Sequence, residues 1–337
     1  MSELKVLHIG RKESFESHTP KNDFTESVQK TSLPMGLAAE EYIKAMPDAN
    51  VLIVDAIADI PADLINALPS LKMIHSEGVA YNRIDCEAAG KKGVYVCNCA
   101  GMNAMAVAEQ ALLLMLGCLR DVAGGDRAVR EGKQQKVKEA YMIAGSLKEL
   151  SDCTVGLIGL GAIGRSTAEL LKAFHAKVYY TQHHRLEPET EEALGVTWLA
   201  SQDDLLAVSD IVSLHLPVTP QTEKMCNAAF FEKMKAGSIL INTSRGELVD
   251  DSALIHALKS GRLAMAGLDT IDCEPVKKDH ILLNASEDVE SKILFSPHIG
   301  GITGSSFLRG YATIWENVER ISAGERPVNI VNQGFLC

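Results

Sequence analysis

Short apolar runs alternate along the chain with polar and glycine-containing stretches, at spacings that predict buried strands separated by helices. In the first hundred residues "LKVLHIG" (4–10), "NVLIVD" (50–55), "LKMIHSEG" (71–78) and "GVYVCN" (93–98) read as strands. "PADLINALP" (61–69) and "IDCEAAGKKG" (84–93) read as helices between them. Residues 11–34 are polar and patternless and read as a loop. A long helix is expected over 104–119, followed to residue 150 by a charged, helix-like stretch broken at Gly124-Gly125 and Gly145. A second alternation then begins: strand 153–158, helix 163–175 and strand 177–181. Further strands are expected within 210–217, 237–244, 264–270 and 292–298. No internal repeat of solenoid length is present. This order predicts an α/β protein with two Rossmann-like domains, each a doubly wound parallel sheet.

The turn between the first strand and helix of the second alternation reads Gly159-Leu160-Gly161-Ala162-Ile163-Gly164. Gly-x-Gly-x-x-Gly is weak alone but specific in a strand–turn–helix setting. There Gly159 permits the tight turn, Gly161 lets the backbone approach a pyrophosphate, and Gly164 allows close helix–strand packing. The amides of Ala162 and Ile163 would face phosphates at the positive end of the helix. Three later strand ends offer chemistry at the same sheet edge: Arg245, then Asp269 and Glu274, then His298. Taken singly, each is most simply a surface charge or a satisfied polar residue. On successive strand ends they are better explained as a site. Arginine matches a carboxylate with two parallel donors, histidine exchanges protons near neutrality, and a carboxylate beside it stabilises the imidazolium.

Length and composition narrow the class. The 337 residues suffice for two cores, and 46% hydrophobic with 23% charged residues is ordinary for a globular protein. A net charge of −11 argues against nucleic acid as a partner. The opening "MSELKVLHIG" has no signal-peptide pattern, and the longest apolar run is interrupted by Glu109 and Gln110 and too short to span a bilayer. Of eight cysteines only Cys97 and Cys99 are close, expected on one strand and facing the same side. No zinc quartet or other metal site is completed, and free thiols in a reducing cytoplasm are expected.

The chain resembles the D-isomer-specific 2-hydroxyacid dehydrogenase family over nearly its whole length. The likeness rests on "GLGAIG" (159–164), "HLPVTPQT" (215–222), "NTSRGELVDDSALIHAL" (242–258), "AGLDTIDCEP" (266–275), "SPHIGGIT" (296–303) and "SEGVAYNRIDCEAAGKKGVYVCNCAGMNAMAVAE" (76–109). It implies a homodimeric oxidoreductase that interconverts 2-keto acids and D-2-hydroxy acids by hydride transfer with a nicotinamide cofactor. It implies a discontinuous substrate domain (1–103 and 299–337), a nucleotide domain (104–298), and an active site in the cleft between them. His298 would be the acid/base and Glu274 its partner. Arg245 and the amides of Val79 and Ala80 would hold the substrate carboxylate. Asp269 would bond the nicotinamide carboxamide, with Thr243, Ser244, His215, Pro217, Thr222 and Gly300 also along the cofactor.

The sequence departs from the family pattern at Ala80 and Asn82, and in a long segment between Glu274 and His298. It also departs where an acidic residue should grip the ribose hydroxyls, for there it reads Gln182-His183-His184-Arg185. Gln182 would not repel a 2′-phosphate, and His183 and Arg185 offer donors to one, so NADP(H) is expected in preference to NAD(H). Two rival readings are a non-catalytic NAD(H)-sensing protein resembling a corepressor of the same fold, and a different nicotinamide or nucleoside enzyme. The identity of the 2-keto acid is not legible.

Overall fold

The computed structural model describes residues 4–336, and Cys337 lies outside them. The chain divides into two compact units. One combines the described residues up to Asn103 with those from Ile302 onward, and the other is the continuous segment Ala104–Gly301.

The first unit holds five strands, β1 (Lys5–Ile9), β2 (Gln29–Leu33), β3 (Val51–Val54), β4 (Met73–Ser76) and β5 (Tyr95–Cys97). They pair in parallel in the order β2-β1-β3-β4-β5. Parallel strands must be covered on both faces, and successive residues here feed two cores. Leu7, Ile9, Leu52, Val54, Ile74 and Val96 pack on one side. Val6, Val51, Ile53, Met73 and Cys97 pack on the other, under Tyr311, Ile314, Trp315 and Val318 of the long helix Gly304–Ala323.

The second unit has seven parallel strands: β6 (Thr154–Ile158), β7 (Lys177–Thr181), β8 (Val196–Trp198), β9 (Ile211–Leu214), β10 (Ser238–Asn242), β11 (Leu263–Leu268) and β12 (Ile293–Phe295). Their order is β12-β11-β10-β9-β6-β7-β8. The order reverses between β6 and β9, the switch point outside whose carboxyl ends such sheets bind ligands. Gly159 leaves β6 and His215 leaves β9 at this point. An added Cβ on Gly159 would stand 2.3 Å from the His215 carbonyl oxygen.

Three expectations need correction. Residues 11–34 are not a loop but two short helices, Lys12–His18 and Asp23–Ser27, and edge strand β2. Phe15, Thr25 and Val28 are the buried anchors there, too sparse for a visible period. Gly124 and Gly125 do not break the 120–150 stretch. They lie in the helix Val122–Arg130, whose N-cap Asp121 accepts from the Gly124 N–H, and the chain turns instead at Gly132 and Gly145. Cys99 lies beyond the strand that ends at Cys97, though both are buried in one core. Strand β8 was not foreseen. No helix among the described residues is long and apolar enough to cross a membrane.

Candidate active site

The glycine turn has the geometry of a cradle. Gly159 adopts φ +93°, which only glycine takes readily. A Cβ on Gly164 would meet the Gly159 carbonyl at 2.5 Å, so the helix Ala162–Ala173 starts hard against the turn. Around Gly161 an added Cβ would meet nothing within 4 Å. The N–H groups of Ala162 and Ile163 find no acceptor among the described residues, as expected of the first turn of a helix. Three buried polar atoms at neighbouring strand ends are also without partners there: His215 Nδ1 after β9, Thr243 Oγ1 after β10 and Thr270 Oγ1 after β11. Burial holds His215 neutral, drawing its pKa down to about 4. A row of unpartnered polar atoms beside an open cradle fits a polar ligand such as a dinucleotide.

The strand ends past β10, β11 and β12 carry the acid–base candidates. Asn242 shapes the first turn, donating from its side chain to the Arg245 carbonyl at 2.8 Å and accepting from the Ser244 N–H at 3.0 Å. Arg245 is exposed, with Nη1 donating to the Ser244 carbonyl at 2.7 Å. Its Nε and Nη2 have no acceptor among the described residues. Gly246 packs so tightly that a Cβ would lie 2.0 Å from the Ile271 carbonyl carbon, which brings the arginine turn against the segment bearing Glu274. Glu274 accepts the Ile271 N–H at 3.0 Å through Oε1 and stands 2.5 Å from His298 Nδ1 through Oε2.

Asp269 holds the His298 turn from beneath. Its Oδ1 accepts from Ser296 Oγ at 2.5 Å and the Ile299 N–H at 3.0 Å, and its Oδ2 from the Gly300 N–H at 2.8 Å. The Gly300 amide is thus already engaged. Ser296 Oγ in turn accepts from Gln110 Nε2 at 2.9 Å. Sequence reasoning did not single out Gln110, Asn242, Thr270 or Ser296. The one available signal was a glutamine, beside Glu109, interrupting a largely apolar helix.

The stretch after β7 differs from expectation in its partners. Gln182 Oε1 accepts the Leu160 N–H of the glycine turn at 3.1 Å, and Gln182 Nε2 donates to the His184 carbonyl at 2.6 Å. Arg185 is not free. Its Nε and Nη2 bind the Glu191 carboxylate at 2.9 and 2.7 Å, over the Trp198 ring. Its Nη1 has no acceptor among the described residues. His183 is exposed. Thr222 Oγ1 donates to the Pro217 carbonyl at 2.8 Å and so ties the loop after β9. Val79 and Ala80 belong to the first unit, in the turn after β4.

Residues 112–300 match the model of the family described as "D-isomer specific 2-hydroxyacid dehydrogenase, NAD binding domain". The chain is 35% identical to a glyoxylate reductase of Thermofilum pendens, over 88% of this chain and 85% of that protein. It is 34% identical to a D-3-phosphoglycerate dehydrogenase of Archaeoglobus fulgidus over 88% of its own length, but spans only 54% of that longer relative. Among solved structures, apo D-mandelate dehydrogenase of Rhodotorula graminis superposes with a TM-score of 0.83 at 27% identity, covering 98% of this chain and 97% of that one. The non-catalytic reading finds no support among these. The chain belongs to the D-isomer specific 2-hydroxyacid dehydrogenases, a family of nicotinamide-dependent oxidoreductases.

Proposed function

We propose that the protein reduces a 2-keto acid to the D-2-hydroxy acid and runs the reverse oxidation. The carrying observation is His298 Nδ1 held 2.5 Å from Glu274, on the strand end beyond the unspent donors of Arg245. With Nδ1 engaged, Nε2 is the nitrogen left to give a proton to the carbonyl oxygen, or to take one from the hydroxyl. Glu274 stabilises the protonated ring and fixes its orientation. Arg245 offers Nε and Nη2 to a carboxylate. In the first unit the N–H groups of Val79 and Ala80 have no acceptor among the described residues and offer a second carboxylate site. Asp269 keeps the His298 turn in place and retains lone-pair capacity on Oδ2 for a carboxamide.

Gly161, Ala162, Ile163, Gln182, His183, Arg185, His215, Pro217, Thr222, Thr243 and Ser244 would hold the cofactor. When bound, the nicotinamide supplies or accepts the hydride. NADP(H) is favoured over NAD(H), because no carboxylate occupies position 182 and Arg185 keeps Nη1 open. The second protomer of a homodimer would cover the 120–150 segment, where Met142 and Ile143 are 73% and 87% exposed. The seven described cysteines are all free, which fits a cytoplasmic setting.

A panel of 2-keto acids, assayed by loss of reduced-cofactor absorbance, tests the reading. Turnover of at least one by the parent enzyme, and its loss in His298→Ala, is expected. Cofactor binding with no turnover of any 2-keto acid would overturn it. In the same assay Arg185→Ala should weaken NADPH about tenfold and leave NADH nearly unchanged. A parent that prefers NADH would remove the cofactor assignment alone.

A further inference from the structure

The turn after β4 faces its acceptors inward. The Gly78 carbonyl accepts from Cys99 N–H at 2.9 Å, the Val79 carbonyl from Asn98 Nδ2 at 2.7 Å, and the Ala80 carbonyl from Ser76 Oγ at 2.6 Å. The N–H groups of Val79 and Ala80 are left unspent among the described residues.

Glu77 stands immediately before this turn. Its own N–H donates to the Val54 carbonyl at 2.8 Å, and its side chain, 12% exposed, returns into the unit. Oε1 accepts the Tyr311 hydroxyl and stands 3.1 Å from His8 Nε2. His8 is wholly buried, its Nδ1 lies 2.7 Å from Ser32 Oγ, and its ring stacks on Phe15 at 4.3 Å. One carboxylate therefore joins the exit of β4 to β1, to β2 through His8, and to the helix Gly304–Ala323 through Tyr311. None of these groups is used in the chemistry proposed for His298.

We infer that Glu77, clamped by Tyr311 and His8, is the positioning residue that fixes the Val79–Ala80 amides for a substrate carboxylate. This rests on the reading that those amides bind it. Glu77 does not contact the anion itself, since a second carboxylate there would repel it. Its charge is spent on a buried phenol and imidazole, and removing it would leave both with unsatisfied polar atoms. Amides held rigidly recognise an anion without reorganising, so losing the clamp should weaken binding of the keto acid and leave the reacting groups alone.

Glu77→Gln keeps the shape and removes the charge, and Tyr311→Phe keeps the ring and removes the donor. In Glu77→Gln the KM for the keto acid should rise roughly tenfold with kcat within about twofold, and in Tyr311→Phe about threefold, the pattern of lost uniform binding. The KM for the cofactor should not move. A merely structural role would lower the melting temperature without this split. If Glu77→Gln does not fold, Tyr311→Phe decides. An unchanged keto-acid KM in the folded variants overturns the inference. The underlying reading is tested separately on the parent, by comparing a 2-keto acid with its carboxamide. If the parent does not discriminate, the turn is not a carboxylate site.

Discussion

His298 holds a backbone φ of +55°, a region that a residue with a Cβ enters at a cost of about 1–2 kcal/mol. Three hydrogen bonds from the 296–300 turn to Asp269 sustain it. Such strain is retained where the position of a side chain matters. His298→Ala should lower kcat by ~10²–10⁴-fold while the cofactor dissociation constant, measured by fluorescence, stays within about twofold. Near-normal turnover would remove His298 as the acid/base. Arg245→Lys preserves the charge but not the paired donors, so kcat/KM should fall roughly ten- to a hundredfold. A lysine enzyme as active as the parent would show that charge alone suffices.

At the scale of elements, two glycines make opposite predictions. Gly246→Ala drives a Cβ into the Ile271 backbone and should destabilise the protein by about 1–3 kcal/mol, with loss of activity as the Arg245 turn shifts. Gly161→Ala meets open space and should leave the melting temperature of the cofactor-free protein unchanged while weakening cofactor binding. Equal melting losses in both variants would mean that Gly161 serves the fold only. The elements were legible in the sequence where each is a continuous apolar run, as in β3 or β9. They were illegible over 11–34, where each short piece buries one or two residues. The glycine turn and the strand-end residues were readable because each motif is local. The clamp on Glu77 was not, since its partners are 69 and 234 residues away. The link from Gln110 to Ser296 spans 186. Hydrogen bonds over such separations leave no periodic trace in a chain.

At the scale of the whole molecule, two buried imidazoles, His75 in one unit and His215 in the other, each contribute a pH-dependent stability. Burial lowers each from the ordinary 6.5 to about 4. His75 donates from Nδ1 to the Ser76 carbonyl at 2.8 Å and accepts from Asn317 Nδ2 at 3.1 Å, as a neutral ring must. A histidine whose folded pKa is depressed binds fewer protons folded than unfolded. Its contribution is therefore complete above about 6.5 and is lost as the pH falls toward 4. Each should cost on the order of 3 kcal/mol by the acid end, read as a falling urea midpoint. His75→Gln should flatten that slope, and a slope identical to the parent's would contradict the assignment. Light scattering should find the parent dimeric and Ile143→Asp monomeric. A parent that is monomeric at micromolar concentration would exclude the dimer.

The first unit is begun before the second and completed after it. Strands β1 to β5 precede the second unit, but part of the cover for one of their faces, Tyr311, Ile314, Trp315 and Val318, comes only after the whole of it. At ~5–20 residues per second, the roughly 200 intervening residues leave that sheet face covered only in part, by Phe15 and Val28, for about 10–40 s on the ribosome. The second unit, a single unbroken segment, needs no such wait. A nascent chain of this protein should therefore engage chaperones through the first unit, and a stalled ribosome should release a folded second unit tethered to an unfinished sheet.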